Sequence, residues 1–193
     1  VGDLAAAERH TGTLIDHARK HCLPLWTELG AKLQSAVVLK GGDDAVRPLS
    51  QAGLDEIAPR NFDFLFLGEF AEALAHVGRI AEALRLVDQA SGLSEVDWLT
   101  PELLRLKGEL LLVQGTPGVA GTAEDLFWKA LDLARQQEAL AWELRAATSL
   151  ARLLRDQDRS GEALALLQPV YDRFTEGFDT ADLKEAKLLL GSL

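Results

Sequence analysis

Apolar residues recur along this chain three and four positions apart, the spacing of helices with one buried face. No stretch alternates long enough to predict a strand. The pattern predicts a helix over Leu4–His21 and a second over Leu25–Leu39, entered through Pro24 and stopped by Gly41-Gly42. Asp43-Asp44 caps a shorter third helix to about Gly53, with Pro48 inside it, and Ala58–Asn61 is a break. Phe62–Val77 and Ile80–Ala90 then form the clearest pair, followed by a polar loop over Ser91–Asp97 and a helix over Thr100–Gln114. Gly115–Thr122 reads as a flexible inter-helix loop, and helices follow over Ala123–Gln137, Leu140–Arg155 and Gly161–Thr175. Gly177 ends the last of these, and Asp179-Thr180 opens a final helix to Leu193. Its Leu183, Ala186, Leu189, Leu190 and Leu193 share one face, the pattern of a cap over an apolar end. The fold class expected is all-α.

A second period lies over the first. Ala45, Ala83, Ala123 and Ala163 are separated by 38, 40 and 40 residues. Seven residues after each stands another small or slim side chain, Ala52, Ala90, Ala130 and Val170, with Leu49, Val87, Phe127 and Leu167 between. Upstream, Leu67/Ala71/Leu74, Leu104/Gly108/Leu111 and Ala147/Ala151/Leu154 repeat one spacing. Small residues on a helix stripe let a neighbouring helix approach closely, and glycine inside a helix costs about 1 kcal/mol against alanine. Gly108 therefore marks a point where two backbones touch. A period of about forty residues is the mark of a helical solenoid, whose units stack along one direction and expose a long surface.

The helix pair with a small residue midway in its first helix and two alanines in its second resembles the tetratricopeptide repeat. Leu67 to Ala90 matches best, with Gly78 at the usual turn; the unit around Gly108 adds about three residues before its second helix. The resemblance implies one TPR-like domain over residues 1–193, with its clearest repeats at about 62–175 and its cap at about 180–193. Trp98–Leu112, Trp142–Leu154 and Pro169–Leu183 are further similar to the C-terminal repeat region of large bacterial signalling proteins. In that family a nucleotide-cyclase or DNA-binding domain precedes an NTPase module. The chain lacks methionine, and with this resemblance it reads as the C-terminal piece of something longer.

In similar solenoids the first helix of each pair lines the concave groove. By repeat register that lining is Glu69, Glu72 and His76, then Arg105 and Glu109, then Arg145, Thr148, Arg152 and Arg155. The Lys/Asn pair that clamps a peptide carboxyl terminus in some such repeats is absent at these positions. The implied role is a non-catalytic protein-interaction scaffold or regulatory module, binding a protein segment or other domains of its parent.

Composition narrows the partners. The formal charge of −10 disfavours nucleic acid and anionic membrane. No apolar run reaches eighteen residues, and the start of the chain lacks a signal-peptide pattern. The single cysteine, Cys22, excludes an internal disulfide and suits a reducing cytoplasm. No Walker or Rossmann glycine run and no nucleophile elbow is present, so no cofactor and no catalytic residue is expected. The alternative is a metal-dependent helical enzyme. His10, His17 and His21 lie within about 40° of one another on a continuous helix, and His17 and His21 have the i, i+4 spacing that permits shared metal binding. A polar face on an end repeat accounts for the same three residues without a metal.

Overall fold

The computed structural model describes residues 4–40, 64–91 and 98–193. Among them the chain forms helices and no strand: α1 (Leu4–Lys20), α2 (Pro24–Lys40), α3 (Phe64–His76), α4 (Ile80–Ser91), α5 (Thr100–Gln114), α6 (Val119–Gln136), α7 (Leu140–Asp156), α8 (Ser160–Tyr171) and α9 (Ala181–Leu190). The all-α class holds. The short helix expected between Asp43 and Gly53 lies outside the described residues, as does most of the Ser91–Asp97 loop. The chain divides into two compact units, Val1–Ala90 and Ser91–Leu193.

In the first unit α1 packs on α2, and α2 on α3. Ile15 and Ala18 of α1 and Leu29 and Ala36 of α2 are buried. The contact is close: a Cβ on Gly30 would stand 2.7 Å from Ile15 Cγ1. Phe70, Ala71, Ala73 and Leu74 of α3 and Ala83, Val87 and Ala90 of α4 are all but fully buried, whereas Ala81 is exposed. That difference is the register the repeat requires.

In the second unit α5 packs on α6 and α7, α6 on α7, α7 on α8, and α9 on both α7 and α8. Leu183, Ala186 and Leu189 of α9 join the core built around Phe127, Leu131, Leu150 and Leu167. Two expectations are corrected here. The glycine-rich stretch is not a long loop: Gly115 and Gly118 both take left-handed backbone, with φ 69° and 79°, and reverse the chain in four residues. Val119–Thr122 then form the first turn of α6. At the other end α8 stops at Tyr171 rather than Thr175: the Asp172 N–H still donates to Gln168 O at 3.0 Å, but the Arg173 and Phe174 N–H groups turn back only three residues, to Val170 O and Tyr171 O.

Gly108 also departs from expectation in detail. A Cβ there would meet an aromatic ring, with Phe127 Cε1 only 2.5 Å away, so α5 presents bare backbone to a side chain of α6. Within the repeat register the bulkiest midpoint residue, Phe127, faces the smallest first-helix residue. Alanine stands at the matching positions 71 and 151, where the midpoint residues are the slimmer Val87 and Leu167.

One turn recurs four times. Cys22, Gly78, Glu138 and Asp158 take left-handed backbone. The next N–H in each case donates to the carbonyl five residues back at 2.9 Å: Leu23 to Ala18, Arg79 to Leu74, Ala139 to Ala134 and Arg159 to Leu154. This Schellman closure satisfies helix-end carbonyls and normally uses glycine. Only Gly78 follows that preference.

Two measurements check this packing. Gly108→Ala lowers stability by about 1–3 kcal/mol through overpacking against Phe127, and Phe127→Leu costs less in that background than alone; additive urea midpoints would deny the contact. Glu138→Gly raises stability by about 0.5–1 kcal/mol, because it relieves left-handed strain on a side chain exposed to solvent. A lowered midpoint would show that Glu138 is not strained.

Candidate functional site

The first helices carry the residues that the register selects for a binding face. Glu72 is half-buried and His76 is exposed in the last turn of α3, in the first unit; the Glu69 side chain lies outside the described residues. The other six positions fall on α5 and α7 of the second unit, where Arg105 and Arg152 meet at Glu109.

Glu102, Arg105 and Glu109 form one stripe of α5, being three and seven residues apart. Glu102 and Arg105 are both about 5% exposed and joined by a fork, with Arg105 Nε donating to Glu102 Oε2 at 2.8 Å and Nη2 to Oε1 at 2.6 Å. Arg105 Nη1 also reaches Glu109 Oε1 at 2.9 Å. Burying charge is tolerated only when each group is paired and hydrogen-bonded, and this fork supplies both.

The facing stripe of α7 is Arg145, Ser149 and Arg152. Arg145 Nη1 lies 2.9 Å from Glu102 Oε1, and the Ser149 hydroxyl donates to Glu109 Oε1 at 2.5 Å. Arg152 Nη1 reaches the same Glu109 oxygen at 3.5 Å. On its far side Arg152 pairs with Glu185 of α9, and Arg145 Nε stands 3.9 Å from Asp182 Oδ1 of α9. Arg145 also lies over the Trp142 ring, 5.6 Å from its centroid. Helices α5, α7 and α9 are thus tied by a ladder in which the basic residues of α7 stand between acidic residues of α5 and α9.

Two selected positions sit differently from their neighbours. The Thr148 hydroxyl donates to Leu144 O of its own helix at 2.8 Å, and Ser149, one position on, makes the inter-helix bond instead. Arg155 pairs with the adjacent Asp156 in solvent. Glu102, Ser149, Asp182 and Glu185 belong to the ladder and escaped the register argument. The one signal for them was the i, i+3 spacing of Glu102 with Arg105.

On the opposite side of α7, Glu143 is 3% exposed. Arg135 Nε, at the end of α6, donates to its Oε1 at 3.0 Å, and Arg173, just past α8, donates to its Oε2. The turns before α4 and α8 carry a matching device. Arg79 forks onto Glu82 at 2.7 and 2.5 Å, and Arg159 onto Glu162 at 2.9 and 2.8 Å. The hydrogen bond from each arginine holds its glutamate below the usual carboxylate range. Arg159 also grips Glu124 of α6 and is itself pushed up, chiefly by its bond to Glu162.

The histidine stripe resolves into a pair. His17 and His21 have ring centroids 4.4 Å apart, tilted by 43°. His10 is seven residues earlier, about 10 Å along the axis. Among the described residues no three His, Cys, Asp or Glu side chains come together as a metal-holding group. No helix among them is long and apolar enough to cross a membrane. The chain matches no protein-family model, and comparison with curated proteins likewise finds no match.

The ladder makes distinct demands on its arginines. Arg145→Glu sets a carboxylate against the buried Glu102 and lowers stability by about 2–4 kcal/mol. Arg155→Glu, paired only in solvent, stays within about 0.5 kcal/mol of the parent in the same urea titration. Equal midpoints for the two variants would mean that Arg145 carries no structural burden.

Proposed function

We propose that this chain is a non-catalytic helical-repeat module of the tetratricopeptide type, a scaffold or regulatory part of a bacterial signalling or transcription-regulatory protein. Its second unit binds a protein segment, or another domain of its parent, along the face shared by α5, α7 and α9. The reading rests on the order of packing in that unit. Each first helix contacts its own second helix and the next first helix, α5 with α6 and α7, then α7 with α8 and α9. Repetition of that relation is what a helical solenoid consists of, with α9 in the place of a capping first helix.

The face offers recognition chemistry. Glu109, Arg152, Asp182, Glu185 and Arg155 are partly exposed and alternate in sign. Arg105, Arg145, Arg152 and Arg155 each have a partner within the chain. A ligand therefore exchanges ion pairs rather than filling vacant ones. Such exchange contributes more to specificity and association rate than to affinity, and it weakens with salt. The net charge of −10 opposes nucleic acid and anionic membrane as the partner.

The test uses partner capture followed by hydrogen exchange on the complex. Protection is expected on α5, α7 and α9, and Arg155→Glu weakens capture several-fold at low salt, while Lys129→Glu on α6 leaves it unchanged. Protection confined to α6 and α8 would reject the face. Nucleotide turnover by the purified chain would reject the non-catalytic reading.

A further inference from the structure

We propose that His17 and His21 form a two-imidazole site for a divalent transition-metal ion at the C-terminal end of α1. The site is independent of the binding face on the second unit. It rests on three observations in the first unit.

The first is ring geometry. The ring centroids stand 4.4 Å apart with the planes tilted by 43°, a separation that two imidazoles bound side by side to one ion can keep after rotation about their side-chain bonds. Metal–nitrogen bonds of about 2.0–2.1 Å place two such ligands roughly 3–4 Å from each other. The second is the rigidity of the support. The His21 N–H donates to the His17 carbonyl at 3.1 Å, so the two residues that would hold the ion are already joined through the backbone. Immediately beyond, Cys22 N–H bonds to Arg19 O at 3.2 Å and Leu23 N–H to Ala18 O at 2.9 Å, closing the helix end. Only side-chain rotation remains to be restricted when the ion binds. The third is access. Both histidines are exposed, so water completes the coordination shell.

The donor set selects the ion. Neutral imidazole suits zinc, copper and nickel, whereas magnesium and calcium require oxygen ligands. Among the described residues no third protein ligand joins the pair, and the neighbouring Arg19 and Lys20 are cationic and exposed. Both facts set the affinity in the micromolar range or weaker, with the ion exchangeable. Bound, it bridges one helical turn and holds the last turn of α1 against fraying. His10 and Cys22 take no part.

Calorimetric titration of the full chain, carrying no affinity tag, with nickel chloride tests this directly. One nickel ion per chain is expected, displaced by free imidazole, with no heat from magnesium chloride. His17→Gln and His21→Gln each weaken binding by about tenfold or more, since each removes one of two ligands. His10→Gln and Cys22→Ser bind as the parent does. All four positions are exposed, and circular dichroism verifies that each variant keeps the parent's helicity. Absence of nickel binding overturns the site. So does its survival in either His17→Gln or His21→Gln, or its loss in His10→Gln or Cys22→Ser.

Discussion

The second unit depends on burying one helix nearly all the way round while that helix still carries charge. Ten residues of α7 are buried, and it contacts α5, α6, α8 and α9. Ala146, Ala147 and Ala151 keep much of its surface thin, so neighbours come close. A helix so enclosed has little solvent left for polar groups. Arg145, Ser149 and Arg152 are therefore gathered on one side and Glu143 is met on the other by Arg135 and Arg173. Apolar contact alone would let α7 slide by a turn along its axis. Ion pairs at two levels of one face and a third on the reverse face penalise every such slip, because each would strand a buried carboxylate.

The same economy explains why α5 tolerates a glycine in its interior. Phe127 is larger than Val87 or Leu167, and Gly108, which its ring meets, is correspondingly smaller than Ala71 or Ala151. Gly108 lowers helix propensity, but the ring packed on its backbone buries surface that an isolated glycine would leave wet. The turns trade in the opposite direction. Three of the four Schellman turns accept a side chain where glycine costs less, and the surrounding hydrogen bonds hold them there.

Much of this architecture is legible in the residues. Most helix boundaries among the described residues fall within one or two residues of those read from periodicity, and Ala83, Ala123 and Ala163 are fully buried at forty-residue intervals. The start of α6 is misplaced because two glycines and a proline read as a loop, whereas two left-handed glycines complete the reversal at once. The paired face of α5, α7 and α9 is harder to read. Register places Arg105, Glu109, Arg145 and Arg152 on one surface, but it says nothing of the depth of each. Ser149 is hidden for the same reason: it is unremarkable on its own helix and acquires a role only when α5 supplies Glu109, while Glu102 shows its pairing with Arg105 but not its contact with Arg145.

For the binding role proposed here, this arrangement changes what an encounter with a partner would entail. Open guanidinium groups would attract any acidic segment, and with little discrimination. Here Glu109 is held by Arg105, Ser149 and Arg152, and Arg152 is shared with Glu185, so these charges are already paired within the chain. A segment of one charge meets repulsion from half the ladder, and only one that alternates in register with the helices replaces each pair it breaks. The pairs near solvent exchange readily, being screened and weak, whereas the Glu102–Arg105 fork beneath them does not. It is Arg145, reaching from α7 to the buried Glu102, that ties the two helices at this level, while the outer pairs stay open to solvent.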